Sequence, residues 1–548
     1  MVIFQRLEKV LKEKKIKEKI RLLIVILFFV FNFLYAQIDS RFDTFDWEIY
    51  SNNESINSIS EGYKYVYFAT DSNGILRFNK FSTAFEGSLF FGQGIKSKKI
   101  KHVYFDNYTG ILWSFGNKGV EYSNNRIDNW NLIKYQRLSL NSYDNIIDIG
   151  SSINYLWLKT FSGFIKLDHI NGTYLGFFKF PDENNINWGD FNFKYQEDFN
   201  NLIFDDYFIE NGWLVTQSGA SDNTGTFYYF TTFLKSENGD GWLGLSDGSI
   251  LKIDNFSRTI FSISNDMRIS IPFTISIGNE VWIGGEGIGK ISSISKIDKS
   301  FSKIINIKNS EYSNFAYNDF FSSKIIKEEL WLGSNGSVIV YNHKKDFFRT
   351  LGFTNSMPSG KIQFLEILGG KVYIASTSEL VVVDAKSKKK IRSYLSDLVN
   401  KNNLFIDDLK IFDNKIFMIS NGRLYEFDSN EKLVANSDYK HFFDDKLLSY
   451  KIFKSGNDLF LVSNLGIIDH ENTFLVSPSM YFNSIVNDML VIDDMLYIGT
   501  NTGLLEYNIK NAQYSFYDYI FLKNIFQIRQ IDEFLILISS SGLIKLRL

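Results

Sequence analysis

Short apolar segments of about six residues recur along most of the chain, and each ends in a small or polar residue. Examples are Tyr65–Thr70 (YVYFAT), Tyr155–Thr160 (YLWLKT) and Glu329–Ser334 (ELWLGS). A second segment follows a few residues later, often begins with glycine and ends at Asp or Asn, as in Gly163–Asp168 (GFIKLD). Apolar runs of this length, bounded by turn residues, predict pairs of antiparallel strands.

The paired segments repeat at a regular interval. The third position of the first segment is usually aromatic, and these anchor positions are Tyr67, Trp113, Trp157, Trp213, Trp242, Trp282, Trp331, Tyr373, Phe417, Phe460, Tyr497 and Ile536. Their mean spacing is about 43 residues. A period of ~40–50 residues with several short strands per copy is typical of β-propellers, in which small sheets pack face to face around an axis. The aromatic anchor supplies a large apolar area between neighbouring sheets.

The repeats predict an all-β fold of two consecutive β-propellers with about six blades each. One ring of twelve exceeds the ~4–8 blades that propellers usually have. A boundary near residue 298 divides the chain into a first propeller, 37–298, and a second, 299–548. Each ring is expected to close by pairing its first strand, Asp46–Tyr50 (DWEIY) or 303–307, with its own last blade.

The copy at Trp213 leaves an alternative open, because only 29 residues separate it from Trp242. This spacing is short for a whole blade, so a split of five and seven blades is the second possibility. The surrounding segment, about 172–235, contains the densest run of aromatic residues in the chain, with acidic residues between them. We interpret it as an insertion that packs on its own ring or, alternatively, contacts a partner. The candidate partner-binding residues are Trp188, Phe191, Tyr195 and Tyr207.

Several copies have an acidic or polar turn before the aromatic strand, such as Asp106–Gly110 (DNYTG) and Glu237–Gly241 (ENGDG). With the W-[IL]-G strand and the glycine-led strand that follow, this pattern resembles the two-component regulator propeller repeat along most of residues 56–548. In that family the propellers form the periplasmic sensor half of hybrid histidine kinases or occur alone in secreted proteins. Because the sequence ends at Leu548, directly after a repeat strand, the resemblance implies the stand-alone secreted form without a kinase. The chain is also similar to the double-propeller part of a type IX secretion accessory protein.

The first 36 residues have the pattern of a secretory signal peptide. Eight basic and three acidic residues are followed by the uncharged segment 22–36 (LLIVILFFVFNFLYA). A basic region, a short apolar region and a small residue before the cleavage site are typical of such signals. An uncleaved anchor is the alternative, since a membrane span needs ~17–25 apolar residues. After cleavage no membrane span is expected, and the protein is expected in the periplasm or outside the cell.

The composition of the chain excludes several kinds of partner and active site. Without residues 1–36 the chain has 51 basic and 59 acidic residues, a net charge of −8, which argues against nucleic acid as a partner. The chain contains no cysteine, so thiolate metal sites and cysteine nucleophiles are excluded. The five histidines (102, 169, 343, 441 and 470) lack metal-ligand spacing, and we expect them at the surface. No cofactor, metal site or catalytic residue is predicted.

Two motif matches are interpreted as repeat hairpins. Gly244–Gly248 (GLSDG) fits the nucleophile pattern, but that pattern requires a turn from a strand into a helix. Gly284–Lys290 resembles a phosphate-binding loop, yet Ile291 stands where the magnesium-binding Ser or Thr belongs. Calcium sites at Asp71–Gly74 or 221–224 would have too few carboxylates.

Two functions remain open at this point. The first is a non-catalytic binding or scaffold protein of the cell envelope, which would act as a sensor-like module for a protein or glycan. The alternative is a lactonase-like hydrolase or lyase with a metal ion at a ring mouth. Three or more converging carboxylate or imidazole groups would favour the enzyme.

If the signal peptide is cleaved on export, mass spectrometry of the envelope or secreted fraction should find an N-terminus at or near Gln37. Recovery of an intact Met1 in the membrane pellet would support the uncleaved anchor instead.

Overall fold

A computed structural model describes residues 42, 46–51, 55–123, 130–142, 145–189, 206–210, 212–222, 225–236, 239–263, 267, 269–278, 280–287, 294–299, 301, 304–307, 319–345, 347–352, 357–434, 449–455, 458–469 and 474–548. Residues 44–548 form one compact unit. Nearly all regular structure in the described ranges is antiparallel β-sheet, so the predicted all-β propeller fold is confirmed.

The first described strand is β1 (Trp47–Tyr50), and four sheets follow that form the N-terminal group. Sheet 1 contains β2 (Ile56–Glu61), β3 (Tyr65–Thr70), β4 (Ile75–Asn79) and β5 (Ala84–Leu89). Sheet 2 contains β6 (Ile100–Phe105), β7 (Leu112–Gly116), β8 (Gly119–Ser123) and β9 (Trp130–Ile133). Sheet 3 contains β10 (Ile146–Ser151), β11 (Tyr155–Thr160), β12 (Phe164–Asp168), β13 (Tyr174–Phe178) and β14 (Asn187–Trp188). Sheet 4 contains β15 (Phe208–Ile209), β16 (Leu214–Val215), β17 (Gly219–Ser221), β18 (Phe227–Lys235), β19 (Gly241–Leu245), β20 (Ile250–Asp254) and β21 (Thr259–Ile263).

Seven further sheets form the C-terminal group. Sheet 5 contains β22 (Ile269–Ile277), β23 (Val281–Gly287), β24 (Ile294–Ile297) and β25 (Ile304–Ile307), and sheet 6 contains β26 (Ser322–Ile326), β27 (Glu329–Gly333), β28 (Val338–Asn342) and β29 (Phe347–Leu351). Sheet 7 contains β30 (Phe364–Leu368), β31 (Lys371–Ala375) and β32 (Leu380–Asp384), and sheet 8 contains β33 (Ile406–Phe412), β34 (Lys415–Ser420) and β35 (Arg423–Phe427). Sheet 9 contains β36 (Ser449–Ser455), β37 (Asp458–Ser463), β38 (Gly466–Ile468) and β39 (Phe474–Val476), and sheet 10 contains β40 (Val486–Ile492), β41 (Met495–Thr500), β42 (Leu504–Asn508) and β43 (Tyr514–Tyr517). Sheet 11 contains β44 (Gln527–Ile531), β45 (Phe534–Ser539) and β46 (Gly542–Arg547) together with β1.

Helical structure in the described ranges is limited to one α-helix and short 3-10 turns. The helix α1 (Tyr394–Asn402) lies between sheets 7 and 8, and the 3-10 turns are Phe91–Gln93, Tyr135–Leu138, Pro478–Tyr481 and Ile520–Leu522. Among the residues that can be described, no helix has the length and apolar character needed to cross a membrane.

The anchors are core residues, as the repeat pattern predicted, except Trp213, which is half-buried. Trp113, Trp157, Trp331, Tyr373 and Phe417 are fully buried. Each lies on the second strand of its sheet, and alternate residues of that strand point to opposite sheet faces. Burial of a large ring between two sheets explains why the anchor is the most regular feature of the repeat.

Sheets 5 to 11 pack face to face in a closed cycle. Hydrophobic cores join sheet 5 to 6, 6 to 7, 7 to 8, 8 to 9, and 9 to 10, and another core joins sheet 11 back to sheet 5. Between sheets 10 and 11, Asp488 Oδ2 accepts a hydrogen bond from the backbone N–H of Ile528 at 2.8 Å. A cycle of small antiparallel sheets packed in this way is a β-propeller, here the C-terminal propeller.

The N-terminal group packs by the same principle. Hydrophobic cores join sheet 1 to sheet 2 and sheet 2 to sheet 3, and Trp242 of sheet 4 packs against Phe68 and Phe78 of sheet 1. Trp213 immediately precedes β16, which belongs to the same sheet as Trp242. The two closely spaced anchors therefore share one sheet. Because residues 190–205 lie outside the described residues, the number of blades in this propeller stays a prediction.

The predicted boundary at residue 298 does not separate two sheets. It falls between β24 and β25, which pair with each other from Ile294–Ile307 to Ile297–Ile304. Trp282 packs against Tyr341 of sheet 6, so the sheet that contains it belongs to the C-terminal propeller. The prediction of about six blades after residue 298 omitted this sheet.

The closing strand of the C-terminal propeller comes from the beginning of the chain. β1 pairs with β46 in antiparallel register from Trp47–Leu546 to Tyr50–Leu543. The expectation that Asp46–Tyr50 closes the first propeller was therefore wrong. The strand also contacts sheet 1, because Ser88 Oγ donates to Ile49 O at 3.4 Å. β1 thus lies where the two propellers meet.

Trp47 provides a test of this closure. It is 2% exposed and packs edge-on against Tyr517, Tyr519 and Phe521, with ring centroids 5.5–6.1 Å apart. Trp47→Ala should lower the free energy of unfolding by ~3–5 kcal/mol, the usual cost of removing a buried large aromatic ring. Urea titration followed by tryptophan fluorescence measures this cost. Phe256→Ala, at a fully exposed turn, is the control and should leave stability unchanged. A loss below about 1 kcal/mol for the first variant would contradict the role of β1 in closure.

A buried carboxylate attaches α1 to sheet 7. Glu431 Oε2 accepts hydrogen bonds from Ser393 Oγ (2.7 Å) and the backbone N–H of Leu395 (3.1 Å) at the helix start. Its Oε1 accepts from Tyr373 OH (2.9 Å) and Lys371 Nζ (3.1 Å). Burial acts to raise the pKa of Glu431, but these four donors outweigh it and hold the pKa below its ordinary value.

The lowered pKa of Glu431 predicts an acid-sensitive attachment. The folded protein holds the ionised carboxylate more strongly than the unfolded chain does, so its stabilisation is complete above the unfolded-state pKa of about 4.3 and disappears as the pH falls through the folded-state pKa. Glu431→Gln should cost about 1–3 kcal/mol at pH 7, and the difference from wild type should shrink towards pH 3. Denaturant titrations at several pH values test this. The exposed Glu328, paired with Lys344, is the control, because Glu328→Gln should have no measurable effect. A cost that is independent of pH would contradict the prediction.

Candidate functional site

The structure describes two of the four predicted binding residues. Trp188 lies in β14, which pairs with β10 opposite Gly150, and its ring lies 5.9 Å from that of Phe164. The indole is half-buried in sheet 3. Phe191 and Tyr195 lie outside the described residues.

Tyr207 belongs to sheet 4 and is also half-buried. Its hydroxyl donates to Asn255 Oδ1 at 3.1 Å and accepts from Arg258 Nη1 at 3.2 Å. The guanidinium group of Arg258 also lies 5.2 Å from the ring centroid. Trp188 and Tyr207 thus lie on different sheets, and each contacts residues of its own sheet.

The first part of the predicted insertion packs on its own sheet. Asp182 forms an ion pair of 2.8 Å with Lys166, and Glu183 Oε2 accepts a hydrogen bond of 2.9 Å from the indole N–H of Trp157. Burial acts to raise the pKa of Glu183, but hydrogen bonds from Ser152, Trp157 and Asn154 lower it overall. These acidic residues therefore attach the segment to the propeller.

Exposed large apolar side chains are concentrated on sheets 3 and 4. Phe161 is 81% exposed, and β13, the edge strand of sheet 3, is exposed along most of its length. Of the 27 large apolar side chains that are exposed in the described ranges, twelve lie between residues 153 and 256: Ile153, Phe161, Ile170, Tyr174, Leu175, Phe177, Phe180, Phe208, Leu214, Phe227, Tyr229 and Phe256. The side chains of residues 161, 174, 175, 177 and 180 define the aromatic edge of sheet 3. Clustered exposure of this kind is typical of a contact surface.

A second candidate site lies on the inner strands of the C-terminal propeller. The first strand of each of sheets 5 to 11 packs against the first strands of its two neighbours and lines the axis, as in propellers generally. Seven charged side chains on these strands form what we call the inner charged ring: Lys324, Glu366, Asp408, Lys410, Lys451, Asp488 and Arg529.

Polar contacts link the seven first strands around the axis. Lys324 Nζ lies 2.8 Å from Glu366 Oε2, and Glu366 Oε1 lies 4.0 Å from Lys410. Further around, Arg529 forms an ion pair of 2.7 Å with Asp488. The remaining links are Thr274 and Ser276 to Ser323, Asp408 to Ile452 N–H, Lys451 to Asn487 O, and Gln527 to Ile275 N–H.

The carboxylates of the ring lie behind the cations. The side chains of Lys324, Lys410 and Arg529 are 33–37% exposed, whereas those of Glu366, Asp408 and Asp488 are 5–14% exposed. The surface presented to solvent at this level is therefore mainly cationic. This sign is opposite to the net charge of the whole chain, −3.

Two lysines of the ring have shifted pKa values in opposite directions. Burial lowers the pKa of Lys410, but the carboxylates of Asp408, Glu366 and Asp488 outweigh it and raise the pKa overall. Burial lowers the pKa of Lys451, and Asp408 and Asp488 only partly compensate. Lys451 Nζ donates to Asn487 O at 3.2 Å, and the described residues provide no carboxylate within 4.0 Å of it.

Sequence reasoning missed the inner charged ring because its members are far apart along the chain. One local signal was available: an apolar residue, any residue and an aspartate occur at 146–148, 406–408 and 486–488, where each first strand has a β-bulge. In sheets 8 and 10 the aspartate accepts a hydrogen bond from the next first strand. The motif therefore predicts a contact between blades.

Two histidines differ from the expectation of surface positions. His102 and His169 are buried, and His169 Nδ1 lies 3.0 Å from Asp106 Oδ2 between sheets 2 and 3. They are buried because the strands and turns that carry them face the core between blades. His343 is exposed, and the last two histidines, at 441 and 470, lie outside the described residues.

The two rejected motif matches lie in hairpins, as far as the structure describes their residues. In Gly244–Gly248 the backbone N–H of Leu245 donates to Ser249 O at 3.0 Å and closes the β19–β20 turn. Residues 284–287 of the phosphate-loop-like match lie in strand β23. Asp71 contacts Asn57 and Lys99. Among the described side chains, no three His, Asp or Glu residues are grouped so that they could hold a metal ion.

Comparisons with solved structures find matches at low identity and low TM-score. No family model matches the chain, and no curated protein matches it. The extracellular domain of the putative hybrid two component system BT3049 from B. thetaiotaomicron is 16% identical with a TM-score of 0.41, over 91% of this chain and 82% of that one. The extracellular domain of the putative one component system BT4673 from the same organism is 12% identical with a TM-score of 0.41, over 89% and 75%. PorZ of the Porphyromonas gingivalis type-IX secretion system is 10% identical with a TM-score of 0.33, over 91% and 87%.

Proposed function

We propose that the chain is an exported, non-catalytic β-propeller protein of the cell envelope that binds a protein or glycan partner through the aromatic edge of sheet 3. The observation that carries this proposal is the exposure of β13 and its surroundings. Tyr174, Leu175, Phe177 and Phe180 are each at least 39% exposed, although the other strands of sheet 3 are largely buried.

An edge strand with apolar side chains is a binding surface for two physical reasons. Among the described residues no strand lies next to its outer backbone N–H and C=O groups, so a partner strand can pair with them. Its aromatic rings offer large apolar faces that lose little conformational entropy on binding, which suits both protein side chains and sugar rings. Both properties belong to one rigid sheet, so the surface is formed before a partner arrives.

The rigidity of the edge has a local cause. Phe164 pairs with Phe178 across β12 and β13, and Trp157 packs against Phe178 with ring centroids 5.7 Å apart. Lys166 lies 3.8 Å from the ring centroid of Tyr155 in the same sheet. The strand is therefore held on its inner side while Phe161 and Phe177 remain exposed.

The double variant Phe161→Ser and Phe177→Ser tests the proposal. In a pull-down from the native envelope fraction, it should recover the partner at least about thirtyfold less efficiently than wild type, since loss of an aromatic contact residue costs ~2 kcal/mol or more. Phe81→Ser, which removes from a turn of sheet 1 a ring about as exposed as that of Phe161, should recover the partner normally. All three proteins should unfold at the same temperature because the rings are exposed.

Pretreatment of the envelope fraction identifies the class of partner. Loss of capture after protease treatment indicates a protein, and loss after periodate oxidation indicates a glycan. Equal recovery by wild type and the double variant would contradict a binding role for this edge.

A further inference from the structure

The inner charged ring of the C-terminal propeller has an unbalanced charge. It contains four cations, Lys324, Lys410, Lys451 and Arg529, and three carboxylates. Three of the cations lie within 4.0 Å of a carboxylate of the ring. The fourth, Lys451, contacts a backbone carbonyl instead.

Asp408 and Asp488 are engaged in other hydrogen bonds, so neither forms an ion pair with Lys451. Asp408 Oδ2 accepts the backbone N–H of Ile452 at 2.8 Å, and its Oδ1 accepts the N–H of Leu409 at 2.8 Å. Asp488 Oδ2 accepts both Ile528 N–H and Arg529 Nη1. Reorientation of either carboxylate towards Lys451 would break bonds that join neighbouring blades. The site is therefore fixed with one excess positive charge.

The cations lie on first strands of one propeller, with Lys410 on β33, Lys451 on the neighbouring β36 and Arg529 on β44. Lys410 is influenced by the charges of Asp488 and Arg529 from two other blades, and Lys451 by the charge of Lys410. Like charges held near each other on a rigid circle repel, and a buried ammonium group without an anionic partner is costly. Both unfavourable contributions decrease if an anion binds beside Lys451. Because the cationic ends are the solvent-accessible part of the ring, such an anion can reach them from the axis.

We propose that the axis of the C-terminal propeller binds a small oxyanion, a carboxylate, phosphate or sulfate group, with Lys451 as its principal ligand and Lys410 and Arg529 beside it. The site is separate from the aromatic edge of sheet 3, which belongs to the N-terminal group. Lysine supplies a compact charge with three donors, and arginine supplies paired donors that match two oxygens of one oxyanion. The ligand can be a free anion or the charged end of a larger molecule.

Titration with inorganic anions tests this site. The full chain is titrated with sodium sulfate, sodium phosphate or sodium acetate at constant ionic strength, and binding is followed by isothermal calorimetry and by the unfolding temperature. At least one anion should bind saturably to wild type. Lys451→Met should weaken this binding at least tenfold, whereas Lys451→Arg, which keeps the charge, should stay within about threefold of wild type.

Lys454→Met is the matched control, because Lys454 lies on the same strand, β36, and is exposed outside the ring. It should bind the anion as wild type does. Sulfate and phosphate also stabilise proteins in general by exclusion from the surface, and that effect is not saturable and acts on all variants alike. Unequal responses to acetate and to the tetrahedral anions show which oxyanion fits.

Two results would overturn the proposal. One is saturable binding of equal affinity to wild type and Lys451→Met, which would place the anion elsewhere. The other is a purely general salt effect in wild type. If the methionine variant does not fold, Lys451→Gln takes its place, and the same loss of binding is expected. The stoichiometry of binding to wild type is a separate measurement, and we expect one anion per chain.

Discussion

The pairing of β1 with β46 is the contact on which the rest of the structure depends. The last sheet of the cycle has three strands of its own, and its fourth strand comes from residues 47–50, almost 500 residues before its partner in sequence. Trp47 and Ser88 extend this contact to sheets 10 and 1. Because one strand serves the closure of one propeller and the contact with the other, the two propellers are coupled through it and form one compact unit.

The polar interior of the C-terminal propeller follows from the same circular geometry. First strands converge on the axis, where apolar side chains would leave an unfilled channel and backbone N–H groups would lack partners. Asp408 and Asp488 satisfy such N–H groups on the next blade, and lysines or arginine balance most of the charge they bring. Structural need explains three pairs of charges. Lys451 also links two blades through Asn487 O, but no carboxylate of the described residues lies within 4.0 Å to balance its charge, and this additional charge is the feature that an anionic ligand would use.

Aromatic residues have two distinct roles in this chain. The rings at the repeat anchors, such as Trp113 and Trp331, are completely buried between sheets and hold neighbouring blades together. The rings of Phe161 and Phe177 lie at an edge where the sheet ends, and no further sheet covers them among the described residues. The same residue type therefore stabilises the fold in one place and offers a contact surface in another. The two roles differ in where the ring lies, either between two sheets or at the end of one sheet, and composition does not show this.

The repeat pattern alone determined the all-β propeller fold and the burial of the anchors, because strand period and anchor spacing are local properties that every copy repeats. Tertiary structure alone decided which blades belong together: β25 pairs with β24 across the predicted boundary, and β1 joins β46, since strand pairing between distant segments depends on shape and not on sequence distance. Of the candidate site, the aromatic density of segment 172–235 was recognisable from composition, although none of the predicted residues Trp188, Phe191, Tyr195 and Tyr207 belongs to the aromatic edge of sheet 3. The inner charged ring was not recognisable, because Lys324 and Arg529 are separated by some 200 residues and meet around the axis only when seven sheets have closed into a ring.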